Sequence, residues 1–461
     1  MNKSNIVEVK ELKPFAIFIA FFAGIGGVLY GYDIGVISGA LVFMQTGLHL
    51  STAELSTIVA AVLGGGAIAT LITGPLADYC GRRTMINIAS GVFIIGVLLL
   101  IFAHSYLTAM IGRLVQGVGV GIITIIIPLY LTEAAPSSIR GRSVTIFQLF
   151  LTGGILLAFV IDLLFVRSGN WRAMFACVLV PAVALFVGSF FLTRSPRWLY
   201  SKGRYDEAKE ALSKSHTDEE VEYDMHEMSK LHINQSNISI NTFLKRIAKK
   251  QYLVPFLIAL SIACLNQLTG INSILQFSTL MLKSSGLSST IVSMLGSVGV
   301  GLINFITTVL ALYLIDKIGR KILLSVGTAG TAFALFYSGI ICFLPDNTTK
   351  GVLLIIGLLV FIFSYAIGPG VVVWLALSEL LPMSIRSKGM AICLFVNSLV
   401  SAILASLFLG IAHRAGYEAV FFLCAVCTLA YFYVAAFLLP ETKNQTLEEI
   451  EERFVQIESE N

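Results

Sequence analysis

The stretch Gly74-Pro75-Leu76-Ala77-Asp78-Tyr79-Cys80-Gly81-Arg82-Arg83 closes one apolar run, and Asp316-Lys317-Ile318-Gly319-Arg320-Lys321 closes another. A second pair recurs in the same way. Glu133-Ala134-Ala135-Pro136-Ser137-Ser138-Ile139-Arg140 is echoed by Glu379-Leu380-Leu381-Pro382-Met383-Ser384-Ile385-Arg386. One coincidence of Asp-x-x-Gly-Arg with a following base would mean little. Two matched pairs, each six apolar runs apart and on the same face, mark a parallel duplication. Such a chain consists of two six-helix halves related by an axis along the membrane normal.

Composition agrees. Apolar residues make up 56% of the 461 and charged residues 13%, whereas a soluble domain carries roughly 25% charged. Spans of about 20 residues are therefore expected. They fall near 15–43, 53–77, 85–104, 107–131, 143–166 and 172–192, then near 252–282, 288–315, 322–344, 351–378, 389–412 and 417–439. The first run is too long for a cleavable signal peptide. The implied units are an N-terminal bundle (1–192), a polar linker with short helices such as Tyr205 to Lys214 (193–251), a C-terminal bundle (252–439) and a tail (440–461) with a short acidic helix at Leu447 to Phe454. The expected fold class is an all-α membrane protein of twelve transmembrane helices.

Lys and Arg set the orientation. Lys3, Lys10, Lys13, Arg82, Arg83, Arg140, Arg142, Lys317, Arg320, Lys321, Arg386 and Lys388 fall on one side. Arg167, Arg172, Lys283, Lys350 and Arg414 fall on the other. The richer side is expected to be cytoplasmic, with both termini on it. Of the seven cysteines, Cys424 and Cys427 form a C-x-x-C inside an apolar run and read as small packing residues. No catalytic triad, metal cluster or cofactor motif is present, so an enzyme is not expected. The glycines at 117, 119 and 121 lie within a span and have no Lys-Ser/Thr after them, so they are not a phosphate loop.

Ionisable groups inside spans are costly and are functional candidates by default. Asp33 lies in the first span and Arg113 in the fourth, at similar depth, so they can pair. Apolar surroundings favour the neutral acid and a guanidinium favours the carboxylate, which suits a protonation switch. A structural ion pair is the plainer reading. Asp162 is expected at the external mouth, and His49, His104 and His413 at the surface. The second half carries amides in place of charges: Asn266, Gln267 and Asn272 in the seventh span, Asn304 in the eighth and Asn397 in the eleventh. Gln148 adds one from the fifth. Amides donate and accept, as a polyhydroxylated ligand requires, and Trp374 offers a stacking face for a sugar ring. Interhelical hydrogen bonding is the alternative for any one of them. Thr269-Gly270-Ile271 reads as a local break, and Gly368-Pro369-Gly370 as a close approach or hinge.

These residues resemble the sugar porter family of the major facilitator superfamily. The resemblance rests on Gly74-x-Leu76-x-Asp78-x-x-Gly81-Arg82-Arg83, Tyr130-x-x-Glu133-x-x-Pro136-x-x-x-Arg140-Gly141, Ser195-Pro196-Arg197-Trp198-Leu199, Gln267-x-x-Gly270-Ile271-Asn272, Asp316-x-x-Gly319-Arg320-Lys321 and Pro440-Glu441-Thr442-Lys443. These run in order along nearly the whole chain. Gly31-Tyr32-Asp33 resembles the bacterial sugar:proton symporters. The family resemblance implies a central cavity between halves, with Gln148, Gln267, Asn272, Asn304 and Trp374 at a sugar. It implies Asp33 and Arg113 as the coupling pair. It also implies a cytoplasmic gate of salt bridges among Asp78, Arg82, Arg83, Glu133, Arg140, Asp316, Arg320, Glu379 and Arg386, in motifs that include Gly74, Gly81 and Gly319. Four positions depart from the family pattern. Asn266-Gln267 replaces paired glutamines, Gln276 replaces a tyrosine, Asn397-Ser398 replaces Asn-Trp, and Thr193-Arg194 replaces the Pro-Glu before Ser195. The expected activity is uptake of a pentose, hexose or polyol coupled to proton symport. The alternatives are a uniporter with a structural Asp33, or a sugar sensor. The expected partners are the sugar, the proton and membrane lipid, without nucleic acid, in a monomer of the bacterial inner membrane.

Overall fold

The computed structural model describes residues 13–234, 240–287, 289–382, 385–441 and 443. Among these the regular structure is helical, without strands. The first half comprises α1 (Pro14–Gly47), α2 (Thr52–Cys80), α3 (Arg82–Ile101), α4 (Tyr106–Ala134), α5 (Ser137–Phe165), α6 (Trp171–Ala176) and α7 (Leu179–Ser189). The linker carries α8 (Pro196–Ser201), α9 (Tyr205–Ser213), α10 (Asp218–Asn234) and α11 (Ile240–Ile247). The second half comprises α12 (Lys250–Leu268), α13 (Ile271–Ser284), α14 (Thr290–Ile318), α15 (Arg320–Cys342), α16 (Thr348–Ile367), α17 (Pro369–Leu380) and α18 (Arg386–Tyr433). The expected tail helix at Leu447 to Phe454 lies outside the described residues.

Among the described residues, eleven helical stretches are long and apolar enough to cross a membrane. The last, Lys388–Leu438, has 51 residues and would reach about 75 Å if straight, more than twice the hydrocarbon thickness of about 30 Å. Gly416, at φ 80°, breaks it. Asn397 bonds to Gln267, while Cys424 lies against Gly270, so residues 27 positions apart return to one level and the chain doubles back. That stretch is two spans, which brings the total to twelve.

Local chemistry sets the ends. Ser51 and Glu54 form a reciprocal capping box at the start of α2, and Asn347 caps α16. Gly270, at φ 81°, separates α12 from α13, and Gly368 separates α16 from α17. The seventh and tenth spans are therefore each two half-helices. Irregular backbone at membrane depth is tolerated only where protein or a cavity covers it.

Helix α1 lies tight against α5 through a stripe of glycines. A Cβ on Gly31 would sit 1.8 Å from the Leu151 carbonyl oxygen, and one on Gly35 2.7 Å from the Ala158 Cβ. Small residues at this spacing let backbones touch, the usual means of joining helices in lipid. The two halves meet along α1 with α13, α2 with α18, and α5 with α14.

Candidate functional site

Asp33 and Arg113 are brought together where α4 packs against α1. Arg113 Nη1 donates to Asp33 Oδ1 at 2.7 Å, and the side chains are 1% and 0% exposed. The same nitrogen donates to Gln116 Oε1 at 3.1 Å, and the guanidinium lies 5.5 Å from the Phe175 ring centre. Arg113 Nε and Nη2 and Gln116 Nε2 are buried without a hydrogen-bond partner. Donors left this way in a dry site are costly, so the pair is not a fully satisfied structural bridge. Gln116 was missed from sequence, although three residues after Arg113 is the same helical face.

The amides of the second half form a network across the Gly270 break. Gln267 Nε2 donates to Asn397 Oδ1 at 3.1 Å. Asn272 Nδ2 donates to Gln267 Oε1 at 3.0 Å and to Ser401 Oγ at 3.0 Å. Asn266 turns the other way and accepts from the Tyr365 hydroxyl at 3.2 Å. Helix α1, which carries Asp33, packs on α13, which carries Asn272, so the helix of the carboxylate borders the amides. Gln148 and Asn304 lie on α5 and α14, which meet where Gly153 faces Phe305 and Gly301 faces Phe159. The structure does not join either by a side-chain hydrogen bond to the network. Trp374 stays 41% exposed while its neighbours Val373 and Leu377 are buried. Gln276, one turn beyond Asn272, is 0% exposed, and both its amide atoms lack partners.

The basic end carries two ion-pair clusters, one in each half. Arg82 meets Glu133 at 2.9 Å and Asp78 at 3.1 Å, and Arg83 donates to the carbonyls of Ser189 and Phe190 that end α7. In the second half Arg320 meets Glu379 at 3.5 Å, and Arg386 donates to the Leu381 carbonyl at 3.0 Å. The side chains of Arg140 and Asp316 lie outside what the structure describes. Gly74 stands in open space, Gly81 faces the Trp198 ring, and Gly319 faces Glu441. Two contacts were not foreseen. Ser195 donates to Glu133 and Trp198 Nε1 donates to the Asp78 carbonyl at 3.0 Å, so the start of the linker docks on the first cluster. Glu441 accepts from the backbone N–H of Arg320 at 3.1 Å and of Lys321 at 3.2 Å, which caps α15 with a carboxylate.

At the far end the halves are joined by hydroxyls. Ser38 Oγ lies 2.9 Å from both Ser278 Oγ and Thr279 Oγ1, and Ser297 bonds the same two hydroxyls at 2.9 and 3.0 Å. Asp162 corrects an expectation. It is not at an open mouth but 1% exposed, because Gly39 leaves room for its carboxylate, which accepts from the Gly39 N–H at 2.9 Å.

Two packed half-bundles, the first with a buried charge pair and the second with two broken spans and an amide cluster, define a multi-pass membrane transporter of the major facilitator fold. Residues 19–454 match the family model "sugar (and other) transporter", and the chain belongs to that family. It is 33% identical over 96% of its length, and 95% of the relative, to the probable metabolite transport protein CsbC of Bacillus subtilis. It is 35% identical to the glucose transporter GlcP of Staphylococcus epidermidis, covering 94% of this chain and 96% of GlcP. Among solved structures it is similar to the proton:xylose symporter XylE bound to 6-bromo-6-deoxy-D-glucose, with a TM-score of 0.80 at 26% identity over 95% of this chain and 99% of that one. The inward open form of XylE from E. coli is also similar, with a TM-score of 0.80 at 25% identity, covering 95% of this chain and 99% of that one.

Proposed function

We propose that this chain imports a monosaccharide or polyol together with a proton, by alternating access between bundles 1–192 and 252–439 joined by the linker 193–251. In this reading the basic end and both termini are cytoplasmic, in a bacterial inner membrane, and the protein acts as a monomer among lipids. The observation that carries the reading is the buried Arg113–Asp33 pair with its two unpartnered guanidinium nitrogens. A proton and Arg113 compete for the same carboxylate. When the site faces outward, a proton on Asp33 releases Arg113; when it faces inward, renewed pairing expels the proton. The difference in proton affinity between the two states couples the proton to the cycle, and the proton gradient drives it.

The sugar docks on Gln148, Asn266, Gln267, Asn272, Asn304 and Asn397, with Trp374 against its apolar face. Gln267 and Asn272 already bond each other, so they are oriented before a hydroxyl arrives, and α13, which carries Asn272, packs on the helix of Asp33. The clusters Arg82–Glu133 and Arg320–Glu379, with Asp78, Arg83, Arg140, Asp316, Arg386 and the glycines at 74, 81 and 319, act as the cytoplasmic gate.

Uptake into proteoliposomes from a panel of labelled pentoses, hexoses and inositols, with and without an acid-outside pH gradient, tests the reading. Accumulation of one sugar above equilibrium only with the gradient is expected. Equal uptake in both conditions identifies a uniporter, in which Asp33 merely holds α1 to α4.

A further inference from the structure

Asp162 is, with Asp33 and Glu133, one of the carboxylates buried in the first bundle, and the mechanism above leaves it unused. It lies six residues nearer the outer end of α1 than Asp33, judged by its contact with Gly39, or about 9 Å along the axis. Its Oδ2 accepts a single neutral donor, the Gly39 N–H at 2.9 Å, and its Oδ1 is buried with no hydrogen-bond partner. No Lys, Arg or His among the described residues pairs with it. The ionisable groups on the elements around it are occupied elsewhere or neutral. Tyr32 of α1 donates its hydroxyl to the Met174 carbonyl, and Cys177 follows α6 as a free thiol. Arg113 of α4 holds Asp33, and Arg172 of α6 donates to the carbonyls of Ile101 and Ala103. A charged carboxylate in such a place would be uncompensated, which a dry interior does not tolerate.

The neighbouring residue on α1 supplies the second half of the argument. Ser38 forms the hydroxyl seal to Ser278 and Thr279 that joins the halves at this end. Successive residues of one helix therefore carry the seal and the carboxylate contact. Separation of α1 from α13 would admit water beside Gly39 and so hydrate Asp162.

We infer that Asp162 is a second proton-binding group of the transport cycle, taking one proton from the outer aqueous phase as the outer seal closes and returning it as the seal reopens. The step moves one proton between water and one carboxylate oxygen and requires no other reactant. It makes closure sensitive to outer pH independently of Asp33, and it rests on the symport reading only for the cycle in which it acts.

The test is sugar counterflow exchange in proteoliposomes as outer pH is raised. Asp33→Asn removes the other acid. Exchange by Asp33→Asn should still fall about tenfold per pH unit on the alkaline side, and Asp33→Asn/Asp162→Asn should be flat. Asp162→Asn alone should reduce the parent's limiting slope from about 100-fold to about tenfold per pH unit. A flat profile in Asp33→Asn, or an unchanged slope in Asp162→Asn, overturns the assignment. Asparagine keeps the shape and the oxygen that Gly39 needs. With the outer seal held shut by a cross-link between cysteines at Thr46 and Lys283, infrared spectra of Asp33→Asn must show a protonated carboxyl band at neutral pH, and its absence overturns the proposal. A parent that moves no proton with sugar refutes symport, whereas flat slopes with intact proton movement refute this inference alone.

Discussion

Gln148 and Gln267 are both assigned to the sugar, yet the structure sets them apart and so separates two effects of truncation. Gln267 is buried and bonded at both ends of its amide, to Asn397 at 3.1 Å and from Asn272 at 3.0 Å. Gln148 is half-buried and its side chain has no such bonds among the described residues. A buried hydrogen bond contributes about 0.5–1.5 kcal/mol net. Gln267→Ala therefore loses about 1–3 kcal/mol of sugar-free stability, from two bonds and an unpaired Asn397 oxygen. Gln148→Ala should change stability by less than about 0.5 kcal/mol. For binding, each loses a partner to a desolvated hydroxyl, about 1–3 kcal/mol, or roughly 5- to 150-fold in Kd. Calorimetric sugar titration and thermal unfolding of the purified variants, with and without sugar, measure both quantities. Parent-like binding by both variants would show that the amides are helix glue and that the site lies elsewhere. A parent-like melting temperature for Gln267→Ala would refute the network argument.

The remaining predictions concern the two ends. Glu133→Gln removes a mostly buried partner of Arg82 and should cost on the order of 3 kcal/mol. Net transport should slow, outside sugar binding should be retained, and a cytoplasmic thiol probe should react faster; unchanged accessibility would count against the gate. Glu441→Ala strips the cap of α15 and should lower stability by about 1 kcal/mol, read as a drop in melting temperature. Arg194→Glu should gain a similar amount if its carboxylate caps α3 as Glu441 caps α15, and no gain would show that the halves differ there. Ser38→Ala removes the hub of the outer seal and should favour outward-open molecules about tenfold per 1.4 kcal/mol lost. Spin-label distances between cysteines at Thr46 and Lys283 should lengthen, and an unchanged distribution would dismiss the seal.

The spans were legible because twelve apolar runs and two repeated motifs leave few other arrangements for a membrane chain. The breaks at Gly270 and Gly368 were legible too, since glycine and proline interrupt helices for local reasons. Contacts between distant residues were not. Ser38 meets Ser278 across 240 positions, and nothing in the periodicity of either helix names the other. Asp162 was misread for the same reason: its depth depends on Gly39 opposite, not on its own neighbours. The docking of Ser195 on Glu133 and of Glu441 on α15 joins loop and tail residues to helix ends, where sequence offers motif but not partner. Gln276 stood out only as a departure from the family pattern, and its burial without partners came from the fold.

The central claim is that the Asp33 carboxylate exchanges Arg113 for a proton. Asp33→Asn fixes the group in the neutral form. Its most direct test is accumulation of labelled sugar by Asp33→Asn in proteoliposomes under an imposed acid-outside gradient, beside counterflow exchange in the same vesicles. The account predicts that exchange persists and that the sugar only equilibrates, whereas the parent concentrates it. A variant that still concentrates sugar under the gradient would contradict the account.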